Sequence, residues 1–398
     1  MAGSNPVYYP NLNVKLNLLL ILLYFRYNKV IKGANMNLIK CDLNNCNVNV
    51  ANSIRKEFEL ETFHETNKLI DDYLKDNYQN IIVILYDGMG KKILDDINNI
   101  DYFKDNLKEV ITSVHPATTT ASTTSMQTGL FPAEHNWLGW DTYIPELKRS
   151  VTLYKNTYKD TDISCDIPVG KTYMPYKTIV EEINEKGKYK AIELFPFGEN
   201  PYTNIDDMFK KIIKYSCDKT KKYIYAYYTE PDSLLHEFGN NTKEVIDCIK
   251  MLNDKSKEYI EKLENSLVII TSDHGHTDIE YYYLEDYPDV QDLLENETSL
   301  EPRFCSFHVK KNKFLEFINL YNKYFKNDFI LKTKQELLEE KYLGENGNKR
   351  LKSTLGDFFL LAKSNKGIKD KRTCEVMKSS HAGITDREME IPLIIIKR

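Results

Sequence analysis

One pattern in this chain restricts its fold more than any other: a short unbroken apolar run followed at once by a carboxylate. "NIIVILYDG" (Asn80 to Gly88) closes on Asp87, "KKYIYAYYTEPD" (Lys221 to Asp232) on Asp232, and "NSLVIITSDHG" (Asn265 to Gly275) on Asp273. Runs without polar alternation read as strands buried on both faces, and such strands occur in parallel sheets covered by helices. "EIPLIIIKR" supplies a last strand at the C-terminus, and amphipathic segments such as Thr242 to Glu264 lie between the runs. The alternation predicts an α/β fold, a three-layer α/β/α sandwich around a mostly parallel sheet. Two polar, Tyr- and Lys-rich stretches, about 138–190 and about 280–355, interrupt the rhythm and are expected to form insertions beside the sheet. No linker or repeat divides the rest, so 36–398 reads as a single catalytic domain with two insertions.

Composition narrows the function classes. The 398 residues are 41% hydrophobic, enough for a sizeable core, and the formal charge of −5 gives no signal for nucleic-acid binding. Seven cysteines (41, 46, 165, 217, 248, 305 and 374) form no CxxC pair, which favours reduced thiols and a cytoplasmic protein over a disulfide framework. Residues 1–35 read as an N-terminal extension. Its apolar stretch "LNLLLILLYF" (Leu16 to Phe25) has about half the length of a stable membrane span. A secreted or membrane-associated protein through residues 16–25 is the alternative reading.

In open α/β sheets ligands bind beyond the carboxyl ends of the strands. The residues there are Asp87, Asp232 with His236, and Asp273 with His274; His381, in "SSHAGITDREMEIPL", precedes the last strand. Asp232 and His236 are four apart, so a helical turn after Pro231 would aim both the same way. Three aspartates and three histidines from distant segments are what a two-metal site requires, and such ligands suit Zn²⁺ or Mn²⁺. His64, His276 and His308 read as ordinary surface or core histidines, with an outer supporting role open to His276 in "DHGH".

The stretch "HPATTTASTTSMQTGLFPAEH" (His115 to His135) holds six threonines and no Lys or Arg. Together with "YDGMG", "EPDSLLHEFG", "SDHG" and "SHAG", in that order, it resembles the alkaline phosphatase superfamily, and within it the nucleotide pyrophosphatase/phosphodiesterase branch. The resemblance spans Asn80 to Arg398, and "EPRF" and "STLGDFFLLAK" inside the second insertion resemble bacterial members. It implies an alkaline phosphatase-like fold and a threonine nucleophile at a helix N-terminus, which counting places at Thr119. It further implies two divalent ions, Zn²⁺ before Mn²⁺. Asp87, Asp273, His274 and the Thr119 oxygen would serve one ion, and Asp232, His236 and His381 the other.

Two positions depart from the branch. Trp140 stands where many members carry an asparagine that binds a phosphate oxygen, and Asn136 stands where a glycine is usual. Trp140 is therefore the candidate substrate-binding residue, and Trp137, Trp140 and Tyr143 are either a stacking surface for a nucleobase or plain core.

The expected function is metal-dependent hydrolysis of phosphate esters, as a phosphodiesterase or nucleotide pyrophosphatase acting through a phospho-threonine. The partner is a small-molecule phosphate ester, a nucleotide among the candidates. The alternatives are a phosphomonoesterase, phosphonate hydrolase or phosphomutase of the same superfamily, and a non-catalytic metal-binding protein. A CxPxR-type sulfatase motif is absent, and a lipid-head-group transferase would need several membrane spans.

Overall fold

A computed structural model describes residues 37–372 and 376–398. The N-terminal extension and Cys374 lie outside the described residues. Among those described, no helix is long and apolar enough to cross a membrane.

The core is a six-stranded sheet. In chain order its strands are β1 (Asn80–Tyr86), β2 (Leu107–Thr112), β3 (Lys190–Leu194), β4 (Lys222–Tyr228), β5 (Ser266–Thr271) and β6 (Glu390–Lys397). Their spatial order is β2-β6-β5-β1-β4-β3. The β1–β4, β1–β5 and β3–β4 pairs are parallel, while β6 runs antiparallel to both of its neighbours. That reversal bears on the site: an antiparallel strand begins at the edge where the parallel ones end. The loop before β6, with His381, thus reaches the same edge as the carboxyl ends of β1, β4 and β5.

Every residue of β1 is buried, as the unbroken apolar run predicts. Successive side chains go to opposite faces. Ile82, Ile84 and Tyr86 pack with helix Lys243–Ile260, while Ile81, Val83 and Leu85 pack with Asn47–Glu57. These are the two helical layers of the sandwich.

The two insertions do not stay apart. Asp141–Ile144, Arg149–Thr152 and Thr157–Tyr158 from the first join Ser299–Glu301, Phe304–Phe307, Phe329–Thr333 and Phe358–Ala362 from the second in one seven-stranded sheet. The seam is the pairing of Leu300 with Asp141. The accessory sheet continues to Ala362, past the expected limit at 355, because "DFFLLA" is itself one of its strands. The first insertion ends sooner than expected: helix Ile179–Lys186 returns to the central core through Ile179 and Ile183.

Arg303 fastens the accessory sheet to the loop before β6. Its Nε and Nη2 donate to the two Glu388 oxygens at 2.5 and 2.8 Å, and both side chains are fully buried. Glu388 also accepts from the Gly383 amide and the Thr385 hydroxyl, each at 2.6 Å. Removing one partner leaves the other charge buried and alone, so Arg303→Ala should lower unfolding free energy by about 3–5 kcal/mol in a urea titration.

Candidate active site

The threonine-rich stretch forms helix Thr119–Thr128, closed by Gly129 at φ 80°. Its hydroxyls have separate tasks. Thr123, Thr124 and Thr128 return to the carbonyls of Thr119, Thr120 and Thr124 at 2.6–2.8 Å, the back-bonding open to a threonine inside a helix. Ser122 donates to the Asp273 carbonyl at 2.8 Å, which ties the helix to the end of β5. Thr118 holds the N-cap position without capping. Its hydroxyl donates instead to Glu301 Oε1 at 2.6 Å.

Thr119 is the first residue of this helix. Its Oγ1 lies 3.4 Å from each Asp87 oxygen and 3.2 Å from His274 Nε2. His274 Nε2 is in turn 3.4 Å from Asp87 Oδ1 and from Asp273 Oδ2. Asp87, Asp273 and His274 are buried, and their ligand atoms lie within 4.8 Å of one another. Gly88, at φ +73°, lets the turn after β1 pass close to Asp232, and its amide donates to Asp273 Oδ1 at 3.0 Å. Tyr227 donates its phenol to Asp87 Oδ2.

A second group gathers Asp232, His274, His276 and His381, again within 4.8 Å. Asp232 and His236 lie on helix Asp232–Phe238, as the four-residue spacing predicts, with Asp232 Oδ1 3.4 Å from His236 Nε2. The His236 ring stands 5.3 Å from that of His381, and His381 stacks on His274 at 3.9 Å. All six ligand candidates and Thr119 therefore meet at one edge of the sheet. His276 is the addition. The sequence places it among the ordinary histidines with an outer supporting role open, and the structure brings its Nε2 to 2.6 Å from Asp232 Oδ1. The clue in the sequence was its place two residues after His274 at the same strand end.

The donor set fits divalent cations. His236 Nδ1 donates to the Ser379 carbonyl at 2.8 Å, which leaves Nε2 as a lone pair facing Asp232. Ser379 Oγ spends its proton on the Leu235 carbonyl and so accepts from His276 Nδ1 at 3.0 Å, turning the His276 Nε2 lone pair toward the same carboxylate. Asp273 Oδ2 and His381 Nδ1 are buried with no hydrogen-bond partner among the described residues. Burial, then the neighbouring Asp273 and Asp232 charges, push Asp87 well above the carboxylate range. Burial brings His276 down to about 3, and burial with His274 and His276 beside it holds His381 well below the usual range. Neutral imidazoles are the state that binds metal, and a cation between the carboxylates would relieve the repulsion that raises Asp87.

The centre opens into a cleft of about 790 Å³ between the two sheets, lined by Thr119, Trp140, Asp232, His236, Glu301 and His381 among others. The three aromatic candidates part company there. Trp137 is core, donating from Nε1 to the Met174 carbonyl at 2.9 Å, and Tyr143 packs on His308 at 4.2 Å. Only Trp140, 37% exposed, reaches the cleft. Asn136 takes the left-handed conformation, φ 66°, that glycine would otherwise supply. His64 pairs with Glu134 at 2.6 Å, away from the centre.

An α/β/α sandwich with a helix-borne threonine and an Asp/His cluster at the strand ends defines an alkaline phosphatase-like phosphoester hydrolase. Residues 81–204 and 163–383 match the family model of type I phosphodiesterase/nucleotide pyrophosphatase, and the chain belongs to that family. Solved structures share the fold. Murine ectonucleotide pyrophosphatase/phosphodiesterase 5 superposes with a TM-score of 0.62 at 18% identity, covering 80% of this chain and 88% of that one. An inactive variant of the murine protein, in complex with AMP, gives 0.62 at 18%, covering 79% and 87%. Phosphonoacetate hydrolase from Sinorhizobium meliloti, in complex with phosphonoformate, gives 0.59 at 15%, covering 79% and 89%. No relative is found among curated protein sequences.

Ser379 contacts both His236 and His276 through its carbonyl and hydroxyl. Loss of such an orienting hydrogen bond typically costs 10–100-fold in metal affinity. Ser379→Ala should weaken divalent-metal binding by about that factor in a chelator-competition titration.

Proposed function

We propose that the protein is a metal-dependent phosphodiesterase or nucleotide pyrophosphatase that works through a phospho-threonine on Thr119. The observation that carries this reading is the position of Thr119 Oγ1, within 3.4 Å of Asp87 and His274 at the first turn of a helix. Asp87, Asp273 and His274 would hold one divalent ion beside Thr119. Asp232, His236 and His381, with His276 against Asp232, would hold a second. Zn²⁺ suits this imidazole-rich set, with Mn²⁺ as the alternative. When bound, two such ions lower the pKa of a hydroxyl and of water and neutralise charge on a transferring phosphoryl group.

The chain's own groups do the rest. The free amides at the start of helix Thr119–Thr128, with its positive dipole end, draw the phosphate anion toward Thr119. Thr119 Oγ attacks phosphorus, the bond to the departing oxygen breaks, and that oxygen takes up, through solvent, the proton Thr119 loses. Water then attacks the phospho-threonine, delivers the phosphate product and restores the Thr119 hydroxyl. Trp140, exposed at the cleft, offers an apolar face for the group esterified to phosphate, a nucleoside among the candidates.

Purified protein should bind close to two divalent ions per chain, and chelation should abolish turnover; full activity after exhaustive chelation would end the metal-dependent reading. In a manganese- or zinc-supplemented comparison of nitrophenyl substrates, the diester of thymidine monophosphate should be cleaved at least about tenfold faster than the monoester, roughly 1.4 kcal/mol of barrier. The reverse order would favour a monoesterase or phosphomutase. Thr119→Ala should lose nearly all turnover with the fold intact, and Thr119→Ser should keep part of it. Peptide mapping after acid quench should find the phosphate on Thr119 and on neither Thr118 nor Thr120.

A further inference from the structure

Glu301 is a buried carboxyl of the cleft that the metal centre does not use. It ends strand Ser299–Glu301 of the accessory sheet and is 6% exposed. Its Oε1 accepts from the Thr118 hydroxyl at 2.6 Å and from the Trp140 amide at 2.7 Å. Both donors are spent on the same oxygen, so Oε1 has the surroundings of a carbonyl oxygen. Oε2 takes no hydrogen bond from the described residues, and Glu301 lines the same cleft as Thr119.

No ion pair joins Glu301 to a cation among the described residues, although Lys155, Lys369 and Lys371 also line the cleft. Arg303, two residues on, is turned to Glu388, and Lys159 is engaged by Asp370 and Thr298. The charges that act on Glu301 most strongly are Asp141 on the adjoining strand and Asp232 across the cleft, with His236 and His381 beside Asp232. The acids oppose a further negative charge. We propose that Glu301 is a substrate-binding residue: it keeps its proton on Oε2 and donates it, as a hydrogen bond, to a non-bridging oxygen of the phosphoryl group presented to Thr119.

The inference rests on Thr119 marking the place of the phosphoryl group. Burial pushes Glu301 up to about 8 against the opposing pull of the Thr118 and Trp140 hydrogen bonds, with the Asp141 and Asp232 charges adding to the rise, so the carboxyl is neutral below that pH and repels a phosphate anion above it. A diester carries one negative charge on either side of this pH, so a fall in kcat/KM there would belong to the protein.

The test compares wild type, Glu301→Gln and Glu301→Ala in the manganese-loaded full chain, with two readouts. One is kcat/KM for the nitrophenyl diester across pH 6–10. The other is the rise in Tm produced by inorganic phosphate. Glutamine retains a donor at the cleft and an acceptor for Thr118 and Trp140. Glu301→Gln should hold kcat/KM within about threefold at pH 7 and lose the decline above about 8, whereas Glu301→Ala should lose about tenfold or more and most of the phosphate shift. Full kcat/KM in Glu301→Ala would overturn the proposal. Equal loss in both variants would do so as well, reducing Glu301 to a structural tie. Should Glu301→Ala fail to fold, the pH profile of Glu301→Gln decides: a decline above 8 that persists overturns it. The phosphate readout separates this inference from the functional one. A wild type that shows no diester turnover ends the phosphodiesterase reading, while phosphate stabilisation that survives Glu301→Gln and fails in Glu301→Ala still upholds Glu301.

Discussion

Mutual repulsion of Asp87, Asp232 and Asp273 is the constraint on which the rest of the structure depends. Two of them are almost wholly buried, and His274 stands 3.4 Å from both Asp87 and Asp273. At about 4 Å, like charges repel by roughly 4 kcal/mol at an effective dielectric of 20, so such a cluster cannot be left to loose loops. Each acid is delivered by the end of a different strand of one sheet, and those strands are buried on both faces over all but the last residue of β4. The amides of Gly88 and His274, each 3.0 Å from Asp273 Oδ1, offset part of the charge. The remainder calls for cations, which the imidazole lone pairs turned inward by Ser379 are placed to ligate.

The central sheet was legible because burial on both faces leaves a run with no polar alternation, and β1, β4, β5 and β6 all carry one. Two strands were not singled out. In β2 only Ile111 is buried, as befits an edge strand, and β3 spans five residues of which two are buried. The accessory sheet was legible only as interruption. Its strands are two to five residues long and come from segments some 150 residues apart, joined at Leu300 and Asp141, and no local periodicity encodes that pairing.

The site divides along the same line. Residues at strand ends, Asp87, Asp232, Asp273 and His274, could be found from position alone, and His236 from helical spacing. The groups that orient them could not. Tyr227 reads as one more aromatic in a Tyr-rich strand, Ser379 as one of two serines before His381, and Glu301 as part of an insertion. Each acquires its role from a partner more than 100 residues away. His276 is the intermediate case, near enough to His274 in sequence to be suspected and placed only by the fold.

The turn 301–303 shows how the insertions couple to the chemistry. Glu301 reaches Thr118, one residue before Thr119, while Arg303 reaches Glu388, which holds Gly383 and Thr385 in the loop that carries His381. One short turn of the accessory sheet thus touches both sides of the centre, the helix of Thr119 and the approach to β6. A cap attached by loops alone would drift relative to the strand ends, and its contacts with substrate would vary with it. Here the buried Arg303–Glu388 pair and the Thr118–Glu301 bond hold the walls of the cleft in register with the helix of Thr119. Residues 301–303 are where the accessory sheet is joined both to the helix of Thr119 and to the approach to β6.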